Sequence, residues 1–161
     1  MSKQNKNSPE LSLSVQYGVT DARLPRWRLR RWVELAIQAA HQDGLVEFER
    51  VQLGLRLVGQ AEGREMNASF RQKDYATNVL TFEYGVDPEG TATGDIVLCL
   101  PVLLREAREQ GKSMIDHAAH LTVHGTLHAL GYDHLKARQA KHMEALETEV
   151  LARMKISDPY A

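Results

Sequence analysis

The sequence contains a single cysteine, Cys99, so no intramolecular disulfide framework and no cysteine-based zinc finger can be built from it. Aromatic residues are scarce at 6%, and no apolar run approaches the ~18 residues that a membrane-spanning helix requires. Neither sign of charge prevails: 20 Lys and Arg face 21 Asp and Glu, leaving a formal charge of -1. That balance lacks the overall basic field of a non-specific nucleic-acid binder, although a local patch remains open, and no DNA partner is expected. The amino-terminal decapeptide MSKQNKNSPE has no apolar core of the kind a secretory signal carries. No membrane association is expected, and a reducing cytoplasm suits the cysteine count.

At 161 residues and 43% apolar content the chain matches one domain that folds without a disulfide or a structural metal. A metal site in such a chain serves chemistry more than stability. Residues 1–10 are polar and read as a disordered tail, leaving 11–157 as a single domain. Leu11, Leu13, Val15 and Tyr17 alternate with polar residues as in a half-buried strand. After Pro25, the residues Leu29, Trp32, Val33, Ala36, Ile37 and Ala40 recur at helical spacing until Gly44. Residues 51–57 alternate as a second strand, 60–71 read as helix, 79–84 as strand, and 85–93 (GVDPEGTAT) as a surface loop. Residues 95–100 read as a central strand ended by Pro101, and 101–110 as a short helix. Ser113 and Asp116 form a capping pair for a helix running to Leu130, Gly131 ends it, and an amphipathic helix follows from about Lys136. Strands interspersed with helices predict an α+β fold: one compact domain with a small mixed sheet, helices packed on it, and a metal site at the end of a central helix.

Six of the seven histidines (His117, His120, His124, His128, His134 and His142) fall between positions 117 and 142. On a helix, His124 and His128 lie four residues apart on one face and suit two ligands of one ion. Gly131 turns the chain back, so that His134 can approach as a third ligand and leave a fourth position open, the pattern of catalytic zinc. The spacing matches the metzincin peptidases in its histidines and glycine, but Gly125 stands where those enzymes carry the glutamate that takes a proton from water. His117 and His120 lie near the same stripe and are either solvated helix residues or neighbours of the site. Asp133 is either a support or base for the site, or a turn former bonding its own backbone. Cys99, within an apolar strand, reads as an inert buried thiol.

The segment His124-Gly-Thr-Leu-His-Ala-Leu-Gly-Tyr-Asp-His134, taken with MNASFRQKDYATNVLTF and GDIVL upstream, resembles the YbeY family of bacterial endoribonucleases, also described as rRNA maturation factors. Asn67, Arg71, Asp74, Thr77, Asn78, Val79, Leu80 and Phe82 match the family's second signature, with Thr81 for the usual Ser, and Ala129 stands where Leu is usual. The resemblance implies a zinc-type ion on His124, His128 and His134 and single-strand-specific cleavage of RNA, and three imidazoles also fit nickel. It also implies Arg71 and His124 as catalytic residues, maturation of the 3′ end of small-subunit rRNA, ribosome quality control, and the ribosome with its assembly factors as partners. A guanidinium suits that role because it forks onto phosphate oxygens. Two other functions compete: a zinc hydrolase of peptidase type, which Gly125 opposes, and a ribosome-assembly factor whose zinc only shapes its surface. Arg23, Arg26, Arg28, Arg30 and Arg31, interleaved with Trp27 and Trp32, read either as an RNA-contacting patch or as a solvated helix face with Trp32 in the core, and Lys73 is a further possible contact.

Overall fold

Alternation of apolar residues with Ser12, Ser14 and Gln16 makes β1 (Glu10–Tyr17) an edge strand with one face on the core. In the computed structural model, which describes residues 8–133 and 135–160, the order continues α1 (Arg26–Asp43), β2 (Arg50–Val58), α2 (Gln60–Arg71), β3 (Val79–Val86), β4 (Thr91–Cys99), α3 (Leu100–Gln110), α4 (Met114–Ala129) and α5 (Ala137–Arg153). The expected α+β class with a small mixed sheet is what is found. The strand order is β1-β2-β4-β3, with β1, β2 and β4 parallel and β3 antiparallel at the far edge. Of the stretch read as a tail, residues 1–7 lie outside the described residues, and β1 already begins at Glu10. Among the described residues no helix is long and apolar enough to cross a membrane.

The main core lies on one face of the sheet, where Leu53, Leu55, Leu57, Ile96 and Leu98 meet Trp32, Val33 and Ala36 of α1 and Ala118, Val123 and Leu127 of α4. On the opposite face α2 covers a smaller core of Val58, Leu80, Val97, Cys99 and Val102. Cys99 is buried there, and burial pushes its thiol up, so it stays protonated. Along the outer edge of β1, Arg26 and Arg30 of α1 donate to the carbonyls of Val15 and Leu11 at 3.2 and 3.4 Å.

One sequence expectation fails. Residues 85–93 are not a loop: β3 runs on to Val86, β4 starts at Thr91, and only 87–90 turn between them. Asp87 Oδ1 accepts from the backbone N–H of Glu89 and Thr91 at 3.0 and 2.9 Å, and Gly90 takes the positive φ of 86° that closes the hairpin. Turn-forming residues at the tip and a bulge at Glu83/Gly85 mask the strand pattern on both sides.

α4, the helix at the centre of the fold, starts as its sequence predicts, with Ser113 Oγ accepting from the Asp116 N–H at 3.0 Å. It ends at Ala129, and Gly131 follows with φ of 111°. Gly125 faces the sheet: a Cβ there would stand 2.9 Å from Ile96 Cγ2 and 3.2 Å from Val79 Cγ2. The missing carbon lets α4 lie directly on β3 and β4.

Candidate metal and phosphate site

His124 and His128 occupy adjacent turns of α4, with ring centroids 5.7 Å apart, on the side of the helix that overlooks edge strand β3. Both line a cavity of about 490 Å³ whose other walls are Arg71, Thr77, Asn78, Val79, Leu80, Thr81, Asp133 and Leu135. The last turn of α2 brings in Arg71, and β3 supplies the floor between the arginine and the histidines. Gln72, in the left-handed region at φ 58°, ends α2 directly after Arg71. Of the residues singled out from sequence, Arg71, His124 and His128 therefore share one cavity. His134, expected as a third ligand, lies outside the described residues. Among the described residues there is no group of three or more His, Cys, Asp or Glu side chains that could hold an ion.

The histidines are fixed from behind by a residue that the sequence reading passed over. Glu147 of α5 is fully buried, and its Oε2 accepts a hydrogen bond from His124 Nδ1 at 2.8 Å. Its Oε1 accepts from His120 Nε2 at 2.9 Å and from the Tyr160 hydroxyl at 2.6 Å. Burial pushes the Glu147 carboxyl up, but the hydrogen bonds from His120 and His124, the charge of His124 and the Tyr160 hydroxyl outweigh it and bring the carboxyl down to about 2. In the neutral ring, a proton on Nδ1 donated to Glu147 places the lone pair on Nε2, the arrangement in which a carboxylate orients a metal-binding imidazole. The donor chemistry thus fits a zinc-type divalent ion: two imidazoles one turn apart, one of them locked by a buried anion.

His117 and His120 are not solvated helix residues. His117 is 3% exposed, and its Nε2 donates to Glu106 Oε1 at 2.9 Å. Glu106 also accepts from Asn78 Nδ2 at 3.1 Å, so the residue that opens the cavity floor is tied through α3 to α4. Asp133 Oδ1 accepts from the Leu135 N–H at 3.0 Å, the local turn bond expected of an aspartate there, while the residue also lines the cavity. Tyr132 is buried, and its hydroxyl donates to Asp43 Oδ2 at 2.6 Å, pinning the turn after α4 to the end of α1. Trp32 packs in the core, whereas Trp27 and the arginines around it stand at the surface. Lys73 is exposed just beyond α2.

Gly125 also bears on chemistry. The position where a metzincin carries its glutamate is buried against the sheet here and holds no side chain, so no proton acceptor comes from it.

Comparison with known proteins extends this geometry. The family described as "Endoribonuclease YbeY" matches residues 15–155. A protein of that name from Bordetella pertussis is 72% identical over 151 residues, covering 94% of this chain and 96% of its own. Its counterpart in Bordetella avium is 69% identical, covering 94% of each chain. One from Burkholderia pseudomallei is 49% identical, covering 94% of this chain and 81% of its own. A Thermotoga maritima protein, known from its solution structure, shares the fold with a TM-score of 0.59 at 23% identity, over 89% of this chain and 92% of that one. On these matches the chain is a member of the YbeY family of endoribonucleases.

Proposed function

We propose that this chain is a metal-dependent, single-strand-specific endoribonuclease that matures the 3′ end of small-subunit rRNA and acts in ribosome quality control in the cytoplasm. The observation that carries the reading is that Arg71 and the histidine pair His124/His128 line one cavity from opposite sides of β3. RNA held there presents a phosphodiester to a guanidinium on one wall and to imidazole donors on the other. In this reading His124, His128 and His134 hold zinc or, failing that, another divalent ion such as nickel. A bound ion would supply Lewis acidity, either polarising a phosphoryl oxygen or activating water.

The protein's own residues do the rest. Arg71 grips a non-bridging phosphate oxygen and offsets the charge that builds at phosphorus. Glu147 holds His124 in one tautomer and one orientation, so that the lone pair on Nε2 is ready before substrate arrives. With Gly125 in place of a glutamate, the nucleophile is either water or the RNA 2′-hydroxyl, and the product ends distinguish them. A 2′,3′-cyclic phosphate marks the hydroxyl and a 5′-phosphate marks water. RNA is the partner this reading requires, with the small ribosomal subunit and its assembly factors around it.

The test is cleavage of a single-stranded fragment of the small-subunit rRNA 3′ end by purified protein, beside Arg71→Ala and His124→Ala proteins prepared identically. Cutting by the wild type and its loss in both variants, with melting temperatures unchanged, is the expected result. Equal cutting by all three assigns the activity to a contaminant. A folded wild type that binds the fragment without cutting it leaves an assembly factor, and a chelator that unfolds the protein makes the ion structural.

A further inference from the structure

We infer that the amino-terminal end of α1 is a second RNA-binding surface, separate from the metal cleft, in which Trp27 stacks on a base and the arginines around it hold the flanking phosphates. The inference rests on the ribonuclease reading for the identity of the ligand, but not on the metal site. Trp27 is 66% exposed, while the only other tryptophan, Trp32, is 5% exposed and belongs to the core. On the first two turns of α1 every exposed side chain other than Trp27 is an arginine, namely Arg26, Arg30 and Arg31, and half-buried Arg28 lies beside them. Arg31 follows Trp27 by four residues and so shares its face. The Arg28 guanidinium covers part of the Trp27 ring at 5.0 Å, and the ring's remaining exposure leaves surface on which a base can stack.

Charge selects the ligand. Between positions 21 and 34 five arginines face only Asp21 and Glu34, a local excess of three positive charges on a chain whose formal charge is -1. Arg23 pairs with Asp21 at 2.8 Å and Arg30 with Glu34 at 3.1 Å. Among the described residues, Arg26, Arg28 and Arg31 have no ion pair. The first turn of α1 holds no acid and its amino-terminal cap makes no side-chain hydrogen bond, so the helix end adds to the positive field. The cations are also pre-positioned: Arg26 and Arg30 are tied to β1 carbonyls, and Arg28 Nη1 donates to the Arg23 carbonyl at 2.8 Å. A protein partner covering Trp27 would have to desolvate these arginines, whereas a phosphate backbone neutralises them, and a base fits the tryptophan between them.

The patch is remote from the cleft. The carboxyl end of α1 touches the turn beside the cavity through Asp43 and Tyr132, so its amino end, 17 residues away at ~1.5 Å per residue, lies roughly 25 Å from that turn. A substrate of three nucleotides, at ~3.4 Å each when stacked, cannot span that distance, whereas a long single strand can.

The test is fluorescence titration with a 20-nucleotide uridine oligomer, on the full chain and, to keep the RNA whole, on its His124→Ala form. RNA is expected to quench the exposed Trp27 emission, and Trp27→Ala to abolish the quenching and weaken binding roughly fivefold or more. Arg28→Ala with Arg31→Ala is expected to flatten the slope of log affinity against log salt by about 1.4, the release from two phosphates. Since Arg31 is exposed and unpaired, Arg31→Ala alone, with half that change, keeps the test valid if the double variant melts early. Cleavage of a trinucleotide should be unchanged in the Trp27→Ala, Arg28→Ala/Arg31→Ala and Arg31→Ala proteins that retain His124. Failure of the nuclease reading shows as absent cleavage with quenching intact. An unquenched Trp27 together with an unaltered salt slope overturns the inference and leaves the face to a protein partner.

Discussion

Glu147 Oε2 lies 2.8 Å from His124 Nδ1, a hydrogen bond that joins α5 to the helix carrying the candidate ligands. Because the carboxylate is fully buried and also serves His120 and Tyr160, it cannot swing away, and its removal takes the shared acceptor from His124, His120 and Tyr160. Glu147→Ala is expected to weaken zinc affinity by roughly 10- to 100-fold, measured by competition with a chromophoric chelator. Glu147→Gln, which keeps one acceptor oxygen, should fall between the two. Equal zinc affinity in all three proteins would show that the carboxylate only supports packing.

Arg71 is exposed, and no ion pair holds it among the described residues. Arg71→Ala should therefore change stability by less than about 0.5 kcal/mol while lowering the rate of RNA cleavage on the order of a hundredfold. Arg71→Lys should recover only part of the loss, because a single ammonium does not fork onto two phosphate oxygens. A urea melt and a single-turnover cleavage assay on the same preparations separate the two effects.

Gly125 carries a steric prediction. A methyl group at this position meets Ile96 and Val79 inside van der Waals distance, so Gly125→Ala should cost about 1–3 kcal/mol, read as a lower urea midpoint. Helix propensity alone would favour alanine, so a stabilised variant would mean that α4 can lift off the sheet without penalty.

His117 gives a pH dependence with a definite sign. Burial lowers its pKa from the ordinary 6.5, the Glu106 hydrogen bond and charge oppose this, and the charges of Lys112 and His120 add to the lowering. The unfolded chain therefore takes up this proton at a higher pH than the folded one. Stability contributed by His117 is complete above pH 6.5, declines as pH falls towards the depressed folded value, and changes no further below it. Urea melts at pH 7.5 and 5.5 should show the decline, and His117→Gln, which keeps a donor for Glu106, should flatten it.

Much of this organisation is legible in the chain. Helix α4 is written in its Ser113 cap, its 3.6-residue pattern and Gly131, and the pairing of His124 with His128 follows from the helical repeat alone. Arg71 is different: nothing in its local pattern separates it from a solvated helix arginine, and only the longer family signature points to it. The β3–β4 hairpin escapes because glycines and turn formers interrupt strand periodicity where the ladder continues. Glu147 escapes for another reason, since its partners lie 23 and 27 residues away. Its one local signal is an acid within the apolar stripe Met143, Leu146, Val150 and Leu151, a place where an anion survives only with donors waiting for it.

The arginine contacts along β1 have a further consequence for how the molecule behaves in a crowded solution. A bare strand edge is a template on which a second chain can extend the sheet, the usual first step towards ordered aggregates. Two guanidinium groups occupy the carbonyls of Leu11 and Val15 where such an invader would have to bond. Because guanidinium keeps its charge at every physiological pH, this guard stays in place whether the surroundings turn mildly acidic or alkaline.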